Sequence, residues 1–262
     1  MEYRNLALNI EDGVATVTLA RPDAANAIDL ALGRELMHVA IRCDDDPAVR
    51  AVLLTGSGKM FCAGGDLKSF ASEGDRLPSL LKELTTHLHA ATSRFARMDA
   101  PLVVAVNGTA AGAGFSIAIS GDLVLAAESA KFAMAYTAAG LSPDGSSTYF
   151  LPRLVGMRRA QELMLTNRRL SAAEALEWGL VNQVVPDAEL AEKAKALAKQ
   201  LAEGPTRSFG MVKKLLATSF QESLESQMEF EARGISAMAG SPDGREGIEA
   251  FLSKRPAKFS GR

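Results

Sequence analysis

Cysteine and long hydrophobic runs are both scarce in this chain of 262 residues. Only Cys43 and Cys62 occur, far apart in the sequence, so a disulfide framework is excluded and a reducing, cytoplasmic compartment is favoured. No stretch approaches the roughly 18 uncharged apolar residues that a membrane-spanning helix needs. Residues 1–10 carry Glu2 and Arg4 and lack the apolar stretch of a signal peptide. We therefore expect a cytoplasmic protein without a membrane partner.

An excess of charge of one sign is also missing. Lys and Arg together number 29 and Asp and Glu 31, for a formal net charge of −2. Without a bulk positive field, nucleic acid is not an expected partner, and an anionic ligand must be met by a few local cations. What the chain does have is apolar residues, at 47%, which suffice for a core typical of one large α/β domain with or without a small appendage.

Short apolar runs alternate with helical patterns along most of the chain. Strands are predicted over residues 14–20, 51–56, 102–108, 122–128 and 181–185, and helices over residues 78–98, 115–120 and from Asp29, a capping residue, to about Cys43. Such alternation predicts βαβ-type units and a largely parallel core. Ser171 and Glu174 form a capping-box pattern. Beyond residue 187 the pattern is helical, and we predict a core over residues 1–200 and a helical region over residues 201–262.

Two glycine-rich turns follow predicted strands. The first is FCAGGDL at residues 61–67, and the second is NGTAAGAG at residues 107–114, which leads into a predicted helix. The first amides of a helix lack internal partners, and small side chains leave them accessible to an anion. Two such turns at adjacent strand ends could direct two N–H groups at one oxygen, as an oxyanion hole requires. Taken alone, each turn is more typical of tight helix–strand packing.

A third turn, LSPDGSS, occupies residues 141–147. Such a string usually means a Pro-Asp-Gly turn in which Asp144 caps the next helix. By itself it does not identify a catalytic acid.

Together these features resemble the crotonase (enoyl-CoA hydratase/isomerase) superfamily over nearly the whole chain. The motifs that carry the resemblance, in family order, are RP at 21–22 with NA at 26–27, FCAGGDL at 61–67, AVNGTAAGAG at 105–114, SPDG at 142–145, EALEWGLVNQVV at 174–185 and AFLSKRPAKF at 250–259. The resemblance implies an α/β fold built as a spiral of ββα units, with a C-terminal helical region that forms a homotrimer or a dimer of trimers. It also implies an acyl-CoA substrate and no cofactor or metal besides the coenzyme A of that substrate.

The resemblance further implies a set of site residues. The backbone amides of Ala63 and Ala113 would hold the thioester oxygen. The implied substrate- and CoA-binding positions are Ala24, Ala27, Ala63, Gly64, Gly65, Asp66, Leu67, Gly112 and Lys254, the last reaching a CoA phosphate across a subunit boundary. The wall of the acyl pocket is expected from residues 69–84 and the C-terminal helices.

Acid–base groups distinguish the branches of the superfamily. Hydratases use two glutamates, and the matching positions here are Ser116 and Tyr136, so ordinary enoyl-CoA hydration is not favoured. Asp144 matches the carboxylate of the isomerase branch, and the likeness is strongest to the epoxyphenylacetyl-CoA isomerase group. One carboxylate suits the shift of a proton between the α and γ carbons of an enolised thioester. The main hypothesis is an enoyl-CoA isomerase that uses Asp144 as acid and base.

Besides the less favoured enoyl-CoA hydratase, two alternatives remain open. Tyr136, Asp144 and His89 also match the 4-chlorobenzoyl-CoA dehalogenase branch, where the Asp attacks an aromatic ring and the His activates water. That branch has Trp at the position of Tyr136, and His89 on a predicted helix is more simply a packing or surface histidine. The other alternative is a non-catalytic CoA-binding scaffold on the same fold.

Overall fold

The computed structural model describes residues 3–262, and Glu2 of the N-terminal segment lies outside that range. Its strands, in chain order, are β1 Leu6–Glu11, β2 Val14–Leu19, β3 Ala51–Gly56, β4 Met60–Cys62, β5 Leu102–Val106, β6 Thr109–Ala111, β7 Leu123–Ala127, β8 Lys131–Ala133, β9 Leu170–Ser171 and β10 Gln183–Val185. The larger sheet has the order β1-β2-β3-β5-β7-β10, and the smaller has the order β4-β6-β8-β9. Parallel pairing dominates; among the described residues, only β1–β2 and β8–β9 are antiparallel.

The helices lie between and after these strands. Their bounds are α1 Leu30–Asp45, α2 Leu67–Ala71, α3 Leu77–Arg97, α4 Ala113–Ile119, α5 Ser147–Val155, α6 Met157–Thr166, α7 Ala172–Glu177, α8 Leu190–Ala202, α9 Thr206–Thr218, α10 Leu224–Ala239 and α11 Pro242–Leu252. Three successive strand pairs, β3/β4, β5/β6 and β7/β8, each place one strand in either sheet before the chain turns into helix. This arrangement confirms the predicted spiral of ββα units.

Most predicted elements are confirmed near their expected bounds. Asp29 caps α1 by accepting a hydrogen bond from the Leu32 amide at 2.8 Å. The capping box of Ser171 and Glu174 is present at the start of α7. β3 and β5 are buried along most of their length, as continuous apolar runs in parallel strands predict. β1 was not predicted, because only Leu6 of its six residues is buried and the alternation is weak.

The C-terminal helices begin where α8 ends. α8 packs against β3, β5 and β7, whereas α9 contacts α3 and α10. The boundary near residue 200 stays a prediction. The chain end folds back, because Arg50 donates to the Phe259 carbonyl and Asp243 accepts from the Gly261 amide at 2.7 Å. None of the helices in residues 3–262 is both long and apolar enough to cross a membrane.

Candidate active site

A cavity of about 350 Å³ lies where the two glycine-rich turns meet α2, α3 and the segment that ends at Asp144. Its wall is largely apolar, and the larger apolar side chains in it are Ile28, Leu67, Phe70, Leu81, Leu84, Leu88 and Leu141. Within the described part of the chain, Asp144 is the only carboxylate residue that lines it. The expected contribution of residues 69–84 is confirmed. No residue after 144 lines the cavity in the described chain, so the C-terminal helices do not form its wall there.

Glycine allows the two turns to touch. Gly64 has φ +96°, and a Cβ there would lie 2.8 Å from the Ala111 carbonyl oxygen and 3.3 Å from the Ala113 nitrogen. A Cβ on Gly114 would lie 2.3 Å from the Cys62 carbonyl oxygen. Because these obstacles are backbone atoms, they cannot turn aside. The sequence therefore brings the ends of β4 and β6 together.

Two backbone amides remain unpaired where the turns meet. Ala113 is the first residue of α4, so its N–H has no intrahelical acceptor. Within residues 3–262, neither its amide nor that of Gly65 has a hydrogen-bond acceptor, and both residues line the cavity.

The amide expected from Ala63 is placed differently. Its N–H donates to the Ala25 carbonyl at 3.0 Å. The prediction that Ala63 supplies one amide is therefore wrong for this geometry, and Gly65, two residues later, has the open N–H. Sequence reasoning missed this because it cannot show which amide of a turn is already bonded.

Arg21 holds the first turn in place. Its guanidinium contacts Asp66 at 3.1 Å and Asp29 at 3.0 Å. Asp66 also caps α2 through the Ser69 amide. Burial raises the pKa of Asp66, but the bonds from Ser69 and Arg21 outweigh it, so that pKa lies below its ordinary value. The Asp66 side chain therefore supports the turn.

The Asn in the RP…NA motif has a similar role. Asn26 is fully buried. Its side-chain amide donates to the carbonyls of Ser57 and Met60, both at 2.9 Å, and of Phe61 at 3.1 Å. The motif fixes the approach to the first turn.

Asp144 faces the cavity beside Tyr136. The Tyr136 hydroxyl donates to Asp144 Oδ1 and lies 3.0 Å from Ser116 Oγ. Burial and the negative charge of Asp144 raise the pKa of Tyr136 well above its ordinary value, so it stays protonated. The Asp144 side chain does not cap α5, which has Ser146 at its N-cap and no side-chain cap bond. The interpretation of Asp144 as a helix cap is therefore wrong.

His89 lies at the same acid. Its Nε2 is 3.8 Å from Asp144 Oδ2 and accepts from the Gly145 N–H at 3.2 Å, while the side chain is 52% exposed. His87 points elsewhere, with Nδ1 3.5 Å from Met37 Sδ. Two histidines two residues apart thus diverge, as a helix requires. Residues 3–262 contain no group of three or more potential metal ligands.

Of the remaining predicted positions, two line the cavity, two precede the first turn and one lies outside the cavity. Gly112 lines the cavity, and Leu67 lies at its edge, 55% exposed. Ala24 ends a short 3₁₀ turn, and the buried Ala27 accepts from Arg21 through its carbonyl. Lys254 follows α11, is exposed and does not line the cavity. Its proposed role at a CoA phosphate stays a prediction.

Comparison with known proteins agrees with this fold. The family model described as Enoyl-CoA hydratase/isomerase matches residues 9–262. The chain belongs to the enoyl-CoA hydratase/isomerase (crotonase) family of acyl-CoA enzymes. A crystal structure of an enoyl-CoA hydratase from Polaromonas aligns with a TM-score of 0.92 at 31% identity, over 97% of this chain and 99% of that one.

Relatives similar over at least nine tenths of their length carry different names. A "Probable enoyl-CoA hydratase" from Rhodobacter capsulatus is 40% identical over 100% of both chains. A 1,2-epoxyphenylacetyl-CoA isomerase from Escherichia coli is 40% identical over 97% of both. A 4-chlorobenzoyl coenzyme A dehalogenase from Arthrobacter is 36% identical over 95% of this chain and 91% of its own length. These names leave the particular reaction to be argued from the site.

Proposed function

We propose that this chain is an enoyl-CoA isomerase that enolises an acyl-CoA thioester and moves one proton with Asp144. The observation that carries the proposal is that, within residues 3–262, the cavity combines a single carboxylate with the unpaired amides of Gly65 and Ala113. Removing a proton next to a thioester puts negative charge on the thioester oxygen. Two amides directed at that oxygen stabilise the charge, at a scale of about 3 kcal/mol per donor.

Asp144 supplies the proton chemistry. Its carboxylate takes a proton from one carbon of the acyl chain, and the resulting dienolate is protonated by the same group at the other carbon. No second acid is required for this shift. Enoyl-CoA hydration, in contrast, is served in the family by two glutamates, and Ser116 and Tyr136 stand in their places.

The cavity indicates the class of acyl group. Phe70, Leu84 and Leu88 are buried side chains in its wall, with Leu81 and Leu141 beside them. Burying apolar surface against such a wall contributes roughly 25 cal/mol per Å². We therefore propose an apolar acyl chain or ring as the substrate's acyl group.

A dehalogenase is the second candidate because His89 lies beside Asp144. That reaction needs His89 to activate water, whereas Nε2 already accepts the Gly145 amide proton. This contact favours the isomerase.

Two assays test the proposal. The first measures exchange of the Cα proton in D₂O for a panel of apolar acyl-CoAs, and the second measures conversion of 3-enoyl-CoAs to 2-enoyl-CoAs. We expect exchange and conversion with thioesters, and much weaker binding of the matching free acids in calorimetry, since the acids lack the thioester and the CoA. Equal affinity for acid and thioester would contradict the oxyanion assignment. Thioester binding without any proton exchange would support a scaffold instead.

A further inference from the structure

The two carboxylate oxygens of Asp144 have unequal surroundings. Oδ1 accepts from the Tyr136 hydroxyl. Oδ2 makes no hydrogen bond within residues 3–262, and His89 Nε2 lies 3.8 Å from it. Because that nitrogen accepts the Gly145 N–H, it carries no proton that it could donate to Oδ2. One oxygen is thus held and the other is open.

The group that holds Oδ1 is itself anchored. A phenol carries one proton, and the Tyr136 proton goes to Asp144. Ser116 is therefore the donor in the 3.0 Å contact between the two hydroxyls, which is shorter than its alternative 3.3 Å contact with the Gly112 carbonyl. Ser116 is fully buried on α4, three residues after Ala113. The chain of bonds from Ser116 through Tyr136 to Asp144 therefore links the acid to the helix whose first amide faces the cavity.

The backbone on both sides reinforces this contact. Ala135, just before Tyr136, has φ +55°, a left-handed conformation that a residue with a Cβ rarely adopts. Gly145, just after Asp144, has φ +61°, and a Cβ there would lie 2.9 Å from the Ser116 Cβ. Strained backbone such as that at Ala135 persists only where the surrounding structure fixes it.

We propose that Tyr136 is a positioning residue whose hydroxyl holds Oδ1 of Asp144, so that Oδ2 alone takes the proton from the acyl-CoA and returns it. The inference rests on the proposed function. In the step, the Oδ2 lone pair takes a proton from Cα, and the C–H electrons pass to the thioester oxygen as the dienolate. The same proton then leaves Oδ2 for Cγ, and the electron pair returns from the oxygen. The Tyr136 proton stays on the phenol throughout.

A fixed carboxylate has a consequence for isotope labels. When one oxygen makes both transfers without turning, the proton that it carries stays against the substrate, and part of it reaches the product. A carboxyl group that is free to rotate exposes the abstracted proton to water, and the proton exchanges with solvent. Retention of label therefore measures the positioning of Asp144.

The experiment compares Tyr136→Phe with wild type on 3-hexenoyl-CoA carrying deuterium at Cα, in ordinary water. We expect kcat to fall about 10-fold, the scale of one lost hydrogen bond to a charged group, with KM within about twofold. The deuterium fraction at Cγ of the product should fall as well. Tyr149→Phe is the matched control, because its hydroxyl bonds the Ala217 carbonyl away from the cavity, and it should behave as wild type.

Ser116→Ala keeps the Tyr136 donor and removes its anchor, so it should lower label retention by a smaller amount. Equal kcat and equal retention in wild type and Tyr136→Phe would overturn the proposal.

If wild type exchanges Cα protons of a saturated acyl-CoA but does not isomerise, the isomerase assignment fails. A Tyr136→Phe exchange rate about 10-fold lower then still supports the positioning role, and an unchanged rate overturns it. A wild type inert in both assays contradicts both proposals.

Discussion

At the scale of single residues, Asp144 owes its proposed role to its neighbours. Tyr136 occupies one carboxylate oxygen, His89 stands near the other, and the turn at Gly145 packs against Ser116. An aspartate in a Pro-Asp-Gly turn has no such surroundings in general, which is why its motif alone indicates a helix cap. Two substitutions test the assignment at this scale.

Asp144→Asn is nearly isosteric and removes only the ability to carry the proton. We expect isomerisation to fall at least about 100-fold, the usual loss for a general base, with acyl-CoA affinity largely kept. Steady-state kinetics and calorimetry on the same protein separate the two effects. Asp75→Asn, at an exposed site outside the cavity, should be silent. Full activity in Asp144→Asn would disprove the assignment.

His89→Ala separates the two candidate reactions. An isomerase needs no base at this position, so we expect isomerisation to change by less than about fivefold, for the lost bond to Gly145. A dehalogenase without its base would instead trap a covalent aryl adduct on Asp144, because the attacking water is no longer activated. Mass spectrometry after exposure to 4-chlorobenzoyl-CoA would reveal that adduct, and we expect none.

At the scale of elements, the site depends on two turns that are each too short to bind anything alone. The ββα arrangement ends β4 and β6 side by side, and α4 starts at the second turn. Contact between Gly64 and the backbone of Ala111 then sets the spacing of the two amides. The oxyanion hole is therefore proposed as a property of element packing more than of any side chain.

Gly64→Ala tests that spacing. The new Cβ would meet the Ala111 carbonyl at 2.8 Å, so the turns must separate and the Gly65 and Ala113 amides diverge. We expect kcat/KM to fall on the order of 100-fold, as for one lost oxyanion donor, and the free energy of unfolding to fall by about 1–3 kcal/mol.

Gly74→Ala is the control for that substitution. Gly74 also has a positive φ, +51°, but a Cβ there meets nothing within 4 Å. It should lose only about 1 kcal/mol of stability from the left-handed conformation and keep its activity. Steady-state kinetics and urea unfolding of both variants measure the two effects. Equal kcat/KM in the two variants would argue against a role for the contact between the turns.

At the scale of the whole molecule, the C-terminal helices have an apolar surface that the single chain leaves uncovered. Phe220 is 73% exposed, Leu224 71%, Ile235 73% and Phe251 82%. Large apolar side chains left exposed in one region of a protein are typical of an interface. We propose that copies of the chain cover this surface in a homotrimer or a dimer of trimers.

Light scattering at micromolar concentration tests the assembly. We expect a mass of about three or six times the 27.7 kDa of one chain. Phe251→Glu places a charge on the uncovered surface and should shift the protein toward smaller species, because a buried unpaired charge is costly. A monomeric wild type would contradict the proposal.

The sequence by itself determined strands β2, β3, β5, β7 and β10 and helices α1, α3 and α4, while the ββα spiral was expected from the family resemblance. A buried parallel strand, such as the one that contains Val103 and Val104, appears in the sequence as a continuous apolar run. Helix caps such as Asp29 and Ser171 are recognisable because a cap bonds to an amide only three residues further on. The sequence also located both glycine turns and Asp144. Only the tertiary structure decided which amides stay open. The Ala63 N–H is used by Ala25, a residue 38 positions earlier, and no local pattern records that bond. The pairing of Tyr136 with Asp144 was likewise decided by the turns that bring them together.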